Sequence, residues 1–239
     1  MNFGILAAGE GSRLAGEGVR ASKPLVLLDG MTMIERLIRI LERHGADSIS
    51  VVVNEKTPEV ESFLRKLRLR DGVALNVIPC DTPTAMHSFG RLSPFLKGGG
   101  RFVVATVDTV FDEKEFGKYL AAFENMPDSE DGMMAVTDFI DDEKPLYVET
   151  DKELNITGFL DTEKNGCDMV SGGVYGLKDS ALDVLDDCLK SSEGGLRDYQ
   201  RALLTSGLRL KAFPMGKIID VDHAGDVAEA EKFLTEEKK

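Results

Sequence analysis

A glycine-rich turn, Gly9-Glu10-Gly11-Ser12, is followed at once by Arg13, and ten residues later the chain reads Lys23-Pro24-Leu25. Leu6, Ala7 and Ala8 lead into the turn from an apolar run that begins at Asn2. Glycines let main-chain amides approach an anion with no side chain in the way, and Arg13 and Lys23 supply two fixed positive charges. The chemistry this suits is the grip of a nucleoside triphosphate. Two other phosphate loops fail on spacing. A dinucleotide fingerprint requires glycine at position 14, where Leu14 stands, and a Walker A loop requires Lys and Ser/Thr where the chain has Glu17 and Gly18. A lone G-x-G reads as a tight turn and no more; the two cations shift the reading towards phosphate.

A second group able to do chemistry is acidic. Asp108 closes the apolar run Arg101–Val107, and Asp220 closes another near the C-terminus. Asp222 lies two residues on, so in a continuing strand it shares a face with Asp220. Carboxylates suit Mg²⁺, which prefers oxygen and takes one or two protein carboxylates beside phosphate oxygens and water. A single strand-end aspartate, taken alone, reads as the start of a turn. His44, His87 and His223 have no zinc-site spacing, and His44 reads as a helix end. Cys80, Cys167 and Cys188 are odd in number and widely spaced, which reads as reduced structural thiols.

The elements that would position these residues follow from periodicity. Strands are expected at 2–8, 48–53, 73–78 and 101–107, alternating with helices at 33–44, from 57–58 onward, and at 82–96. That is the pattern of a predominantly parallel sheet covered by helices. Thr32 reads as one N-cap, and Thr57-Pro58 as a cap with proline at the first position. Gly9, Cys80 to Thr84 and Asp108 then all fall at the carboxyl ends of strands, where open α/β sheets gather ligands. Beyond residue 130 the strands shorten, at 132–139, 146–149, 156–160 and 170–177, and predict a mixed sheet edge. Helices at 180–190 and 196–206, strands at 208–214 and 217–221, and a helix at 227–234 complete the chain. With 239 residues and no linker or repeat, one domain is expected. Residues 1 to about 130 would bind nucleotide, and the remainder the acceptor and the second metal ligand.

A formal charge of −13 opposes binding to DNA or RNA, whose phosphates need many Lys/Arg contacts. No apolar run reaches the roughly 18 residues of a membrane span. The N-terminal strand lacks the basic start of a signal peptide, so a cytoplasmic protein with no membrane partner is expected. Homo-oligomerisation is left open.

The stretch LAAGEGSRL followed by SKPL resembles the signature of the sugar-1-phosphate nucleotidyltransferases, the NDP-sugar pyrophosphorylases. That resemblance implies a three-layer, Rossmann-like α/β fold of GT-A type. It implies that the turn from Leu6 to Ser12 wraps the triphosphate, that Arg13 contacts the outer phosphates and that Lys23 contacts the phosphate undergoing substitution. Asp108 and Asp220 match the family's Mg²⁺ ligands, and Asp222 is a further candidate, since related phosphocholine cytidylyltransferases carry a similar pair. Cys80, Thr82 and Thr84 resemble the base-recognising loop; Thr82 or Thr84 read as helix caps otherwise. Gly173, in Val170–Tyr175, matches the glycine against which the sugar packs. The usual F-x-E-K-P segment is replaced by FLDTEKN, at 159–165, which leaves Asp161 and Lys164 as acceptor contacts.

The implied activity is transfer of NMP from an NTP to a phosphorylated acceptor, a sugar 1-phosphate or, alternatively, phosphocholine or a similar phospho-alcohol, with release of pyrophosphate. An anionic phosphate nucleophile needs no general base, which agrees with the absence of a histidine or cysteine constellation. Two rivals stay open: a GT-A glycosyltransferase using Asp220-Val221-Asp222 as a D-x-D, and a non-catalytic nucleotide-binding regulatory subunit.

Overall fold

The computed structural model describes residues 1–141, 143–164, 166–191 and 194–236. In chain order, the first half holds β1 (Asn2–Ala7), α1 (Ser12–Gly16), β2 (Leu27–Leu28), β3 (Met31–Thr32), α2 (Met33–Arg43), β4 (Ser48–Val53) and α3 (Pro58–Lys66). It continues with β5 (Ala74–Pro79), α4 (Ala85–Leu96), β6 (Arg101–Thr106), β7 (Thr109–Phe111) and α5 (Glu113–Glu124). The second half holds β8 (Gly132–Thr137), β9 (Tyr147–Thr150), β10 (Ile156–Leu160), β11 (Val170–Lys178), α6 (Ser180–Ser191) and α7 (Leu196–Thr205). It ends with β12 (Leu210–Pro214), β13 (Ile218–Asp220) and α8 (Ala224–Glu236).

Side chains alternate across each strand, and here both faces are apolar, so the sheet must be covered on both sides. Phe3, Ile5 and Ala7 of β1, Ile49, Val51 and Val53 of β4, and Val103 and Ala105 of β6 join one core with α2, α3 and α5. Leu6, Val52, Phe102 and Val104 face the other way and meet α4, α6 and α7. Three layers result. The sheet runs β10-β9-β11-β6-β1-β4-β5, with β8 on β11 and β12 on β8. Strands β5, β4, β1 and β6 are parallel, whereas β11 is antiparallel to both β6 and β8. The sheet is therefore mixed, with its parallel run in the first half of the chain, as the pattern predicts.

Register sets the site. Ala7 lies beside Val53, Val53 beside Pro79, and Leu6 beside Thr106. The four parallel strands thus end along one edge, and the segments after them emerge together. A separate two-stranded ribbon pairs β7 with β13, placing Asp220 opposite Thr109. That ribbon carries the C-terminal part of the chain back to the turn after β6.

Helix α5 escapes the sequence reading, although its signals are present. Asp112 caps it by accepting from the Glu115 amide at 2.8 Å, and Phe116, Tyr119, Leu120 and Phe123 form its buried face. Both cap and spacing follow the ordinary rules for an amphipathic helix. Helix α8 begins earlier than expected because Asp226 accepts from the amides of Asp222 and His223 at 2.8 and 2.6 Å, which fixes its start. Thr57 occupies the cap position of α3, but its hydroxyl donates to the Asn54 carbonyl at 3.0 Å instead of capping. His44 does end α2 and lies edge-on to Phe116. Asn165, the last residue of the FLDTEKN segment, lies outside the described residues.

Phe89 of α4 is fully buried, with rings of Phe102 and Tyr199 edge-on at 6.1 and 5.4 Å. Truncation there leaves a void in the layer joining α4, α7 and the sheet. Phe89→Ala is expected to lower unfolding free energy by about 3–5 kcal/mol in urea titration. A loss below ~1 kcal/mol would mean that this layer does not hold α4 to the sheet.

Candidate active site

The turn after β1 does two distinct jobs with its two glycines. Gly11 has φ of +60°, and a Cβ there would sit 2.8 Å from Cβ of Lys23. Its glycine is required by the protein itself, to let the Lys23 stem pass behind the turn. Gly9 has no such conformation, and a Cβ built on it would meet nothing within 4 Å. It lines the open cleft, so the protein places no demand on it. Helix α1, which follows, has no side-chain cap on its first amides.

Lys23 sits at the start of a 3₁₀ turn, Lys23–Leu25, closed by the Leu25 amide donating to the Ser22 carbonyl at 2.7 Å. Its side chain is only 8% exposed, so its ammonium depends on protein partners. It finds Asp108 Oδ2 and Asp222 Oδ1, each at 2.5 Å. Arg13 pairs with the other oxygen of Asp222. Burial by itself would lower the Lys23 pKa; Asp108 and then Asp222 outweigh it and hold the ammonium above the usual lysine range.

Asp108 lies in the turn between β6 and β7, next to Val107, whose amide donates to the Leu6 carbonyl at 3.1 Å. The Thr106 and Thr109 hydroxyls bond to each other at 2.8 Å across that turn. Burial opposes ionisation of Asp108, but Lys23 wins and holds its carboxyl below the usual range. Asp220 is shifted the other way. The protein packed around it, and then the charge of Asp108, push its carboxyl well above the usual range. Since its surface still opens to solvent, like-charge repulsion is the part that a bound cation would relieve.

The donor set fits Mg²⁺. Asp108 lines a 720 Å³ cleft, while Asp220, whose ionisation the charge of Asp108 opposes, lines the small recess beside it, and no cluster of three or more His, Cys, Asp or Glu exists among the described residues to cage an ion without help. Mg²⁺ characteristically takes one or two carboxylates and completes its shell with phosphate oxygens and water. The cleft volume lies in the usual range for small-molecule sites.

Other expected site residues fall differently. Leu6, Ala8, Gly9, Glu10, Gly11, Ser12, Thr82 and Thr84 line the cleft. Ala7 and Cys80 do not: strand alternation turns Ala7 into the core on one side of the sheet, and Cys80 is buried in the other core beneath α4. The loop beyond Cys80, from Asp81 to Ala85, forms the wall instead. Thr84 occupies the N-cap position of α4, yet its hydroxyl bonds His87 Nδ1 at 2.9 Å, and Thr82 bonds Ser88 at 2.6 Å. Asp222 is not in a strand. β13 ends at Asp220, and the Asp222 amide bonds back to the Asp220 carbonyl at 3.1 Å in a tight turn. Its carboxylate therefore faces Arg13 and Lys23, and the strand-face relation to Asp220 is corrected.

On the acceptor side, Gly173 has φ of +72°, and any Cβ there would strike the hydroxyls of Thr109 and Thr106. It lets β11 approach the turn that bears Asp108. Asp161 is taken up by Arg201 at 2.7 Å and Arg197 at 3.5 Å, tying β10 to α7, and neither it nor Lys164 lines the cleft. A recess beside Asp220 and Gly172 holds only 50 Å³, room for about one or two waters and not for a sugar ring.

Sequence reasoning missed Asn54, Ser88 and Thr106, all of which line the cleft. Asn54 is buried and donates to the Ala8 carbonyl at 3.0 Å, so it fixes the glycine-rich turn from the neighbouring strand end. Its place directly after a parallel strand was the available signal.

The family model described as MobA-like NTP transferase domain matches residues 4–154. The chain is 24% identical to the bifunctional protein GlmU of Methanococcus maripaludis over 240 residues, 95% of this chain and 52% of that protein. It thus spans about half the length of that curated relative. Among solved structures, the fold is similar to that of the inositol-1-phosphate CTP transferase from T. maritima, with a TM-score of 0.78 and 19% identity over 100% of this chain and 96% of the other. It is also similar to a putative glucose-1-phosphate thymidylyltransferase from Bacillus anthracis, with a TM-score of 0.80 and 20% identity over 98% and 94%.

The two glycines make separable predictions. Gly11→Ala should destabilise the fold by at least the ~1–2 kcal/mol of a left-handed alanine, read as a lower urea midpoint, whereas Gly9→Ala should stay within about 0.5 kcal/mol of the parent. Equal losses in both would refute the division of roles.

Proposed function

We propose, because this chain belongs to the MobA-like NTP transferase domain family, that it transfers NMP from an NTP to a phosphorylated small-molecule acceptor, a sugar 1-phosphate. The observation that carries this reading is the meeting of Arg13, Lys23, Asp108 and Asp222 at the carboxyl ends of the parallel strands, with Asp220 beside them. An acceptor phosphate oxygen attacks the α-phosphorus in line, the bond to the bridging oxygen of the β-phosphate breaks, and pyrophosphate leaves. The nucleophile is already anionic, so alignment and charge stabilisation suffice.

In this reading Lys23 faces the α-phosphate, where charge grows in the transition state, and Arg13 faces the phosphates that depart. Gly9 gives its amide to the triphosphate. Asp108 and Asp220 would hold Mg²⁺, which when bound would neutralise phosphate charge. The loop from Asp81 to Ala85, with Ser88, holds the base. The turn of Asp222 towards the two cations counts against a D-x-D of the glycosyltransferase kind. Three free cysteines among the described residues and the use of a nucleotide suit a reducing cytoplasm.

A screen of CTP, UTP, dTTP and GTP against sugar 1-phosphates, inositol 1-phosphate and phosphocholine, read as pyrophosphate release, tests the activity. One productive pair is expected; silence across the grid sinks the reading. With that pair, Lys23→Ala should lower kcat by about 10²–10³-fold, and an unchanged kcat would remove Lys23 from the chemistry. Asp108→Asn should abolish the Mg²⁺ dependence of NTP binding in calorimetry. Metal-assisted binding as strong as the parent's would dismiss Asp108 as a ligand.

A further inference from the structure

We propose that Glu17 is a positioning residue, one that laces the phosphate-binding turn to the loop carrying Asp222 and so sets where Arg13 and Lys23 meet the triphosphate. The inference rests on the nucleotidyltransferase reading and adds to it a residue outside the cleft wall.

Arg13 and Glu17 stand four residues apart across α1, and the Glu17 amide donates to the Arg13 carbonyl at 3.1 Å. Residues at that spacing project from one face of a helix, a turn apart. Both reach the same short segment more than 200 residues later in the chain. Arg13 pairs with Asp222. Glu17 spends both carboxylate oxygens one step further on: Oε1 meets His223 Nδ1 at 2.5 Å, and Oε2 accepts the Ala224 amide at 2.7 Å. An ionised carboxylate only accepts, so Nδ1 of His223 is the donor.

The same loop is fastened from its far side by Asp226, whose Oδ2 accepts from the amides of Asp222 and His223. Two carboxylates, one from each end of the chain, therefore pin the backbone at 222–224. Between them the Asp222 side chain is held against Arg13 and Lys23. Glu17 is itself 41% exposed and His223 33%, and ion pairs so open to water add little to global stability. What the pair supplies is placement across two distant segments.

Loss of Glu17 frees one side of the loop and leaves Asp226 holding the other. Glu17→Ala is expected to raise KM for the productive NTP by about 10-fold, short of the ~10²-fold that a 1 Å misplacement costs. The KM for the acceptor should stay within about twofold and the melting temperature within about 2 °C, as for other exposed substitutions. Glu17→Gln keeps an oxygen for the Ala224 amide and should restore most of the NTP affinity. In parallel, calorimetry without acceptor measures the Mg²⁺ complexes of CTP, UTP, dTTP and GTP, and the tightest of them should weaken to the same extent in Glu17→Ala. An unchanged KM and affinity would overturn the proposal. So would a fall in melting temperature with kcat and both KM values lost together and no rescue by Gln. A parent protein that binds a nucleotide but releases no pyrophosphate would overturn the transferase reading, while the calorimetric comparison would still decide the role of Glu17.

Discussion

The site depends on one buried ammonium. Lys23 has almost no access to water and is held between Asp108 and Asp222 at 2.5 Å each. A charge so placed is costly unless its partners are fixed, and removing either one would leave the other to balance it alone. The fixing is structural: Asp108 is carried by the central strand β6, and Asp222 by the turn between β13 and α8. Lys23 therefore joins the beginning, the middle and the end of the chain at one point. Gly11 makes that junction possible by leaving room for the lysine stem.

The fold supplies this junction through register. Parallel strands that end level with one another release their following loops into a shared space, and the helices cover the sheet on both faces. The β7–β13 ribbon is the part that a parallel sheet could not provide. It returns residues near 220 to a turn near 108, so two carboxylates separated by more than a hundred residues repel each other in the native state. Repulsion of that kind is a cost characteristic of functional sites.

Much of this was legible in the sequence because the signals were local. Apolar runs bounded by glycine gave β1, β4 and β6, and Thr32 marked the start of α2, where it accepts from the Glu35 amide. The junction residues Arg13, Lys23 and Asp108 stood out by type and spacing. What could not be read depended on contacts between distant segments. Asp222 looked like a strand neighbour of Asp220, but the turn back to the Asp220 carbonyl and the bonds of Asp226 and Glu17 to this segment set it towards the cations. Cys80 looked like a ligand contact because it follows a strand; the direction of its side chain, into the core under α4, is a matter of alternation. Gly9 and Gly11 looked equivalent, and only the path of Lys23 distinguishes them.

The proposed binding of an anion by an acidic protein is not a contradiction once the cleft is considered by itself. The chain carries a formal −13, yet a ligand within a few ångströms responds to the nearest charges, because salt screens the rest beyond about 8–10 Å. The charges lining the cleft are two cations, Arg13 and Lys23, and the carboxylates of Glu10, Asp81, Asp108 and Asp222, and Asp222 pairs with both cations. A bare triphosphate would therefore find Arg13 and Lys23 already paired with carboxylates and would face a surplus of negative charge. On the proposed reading, Asp108 and Asp220 would hold a divalent cation arriving with the triphosphate, its charge would offset theirs, and Arg13 and Lys23 would exchange Asp222 for phosphate oxygens. If the site binds a triphosphate as proposed, the same contacts among Arg13, Lys23, Asp108 and Asp222 would favour the metal-loaded nucleotide over the free one.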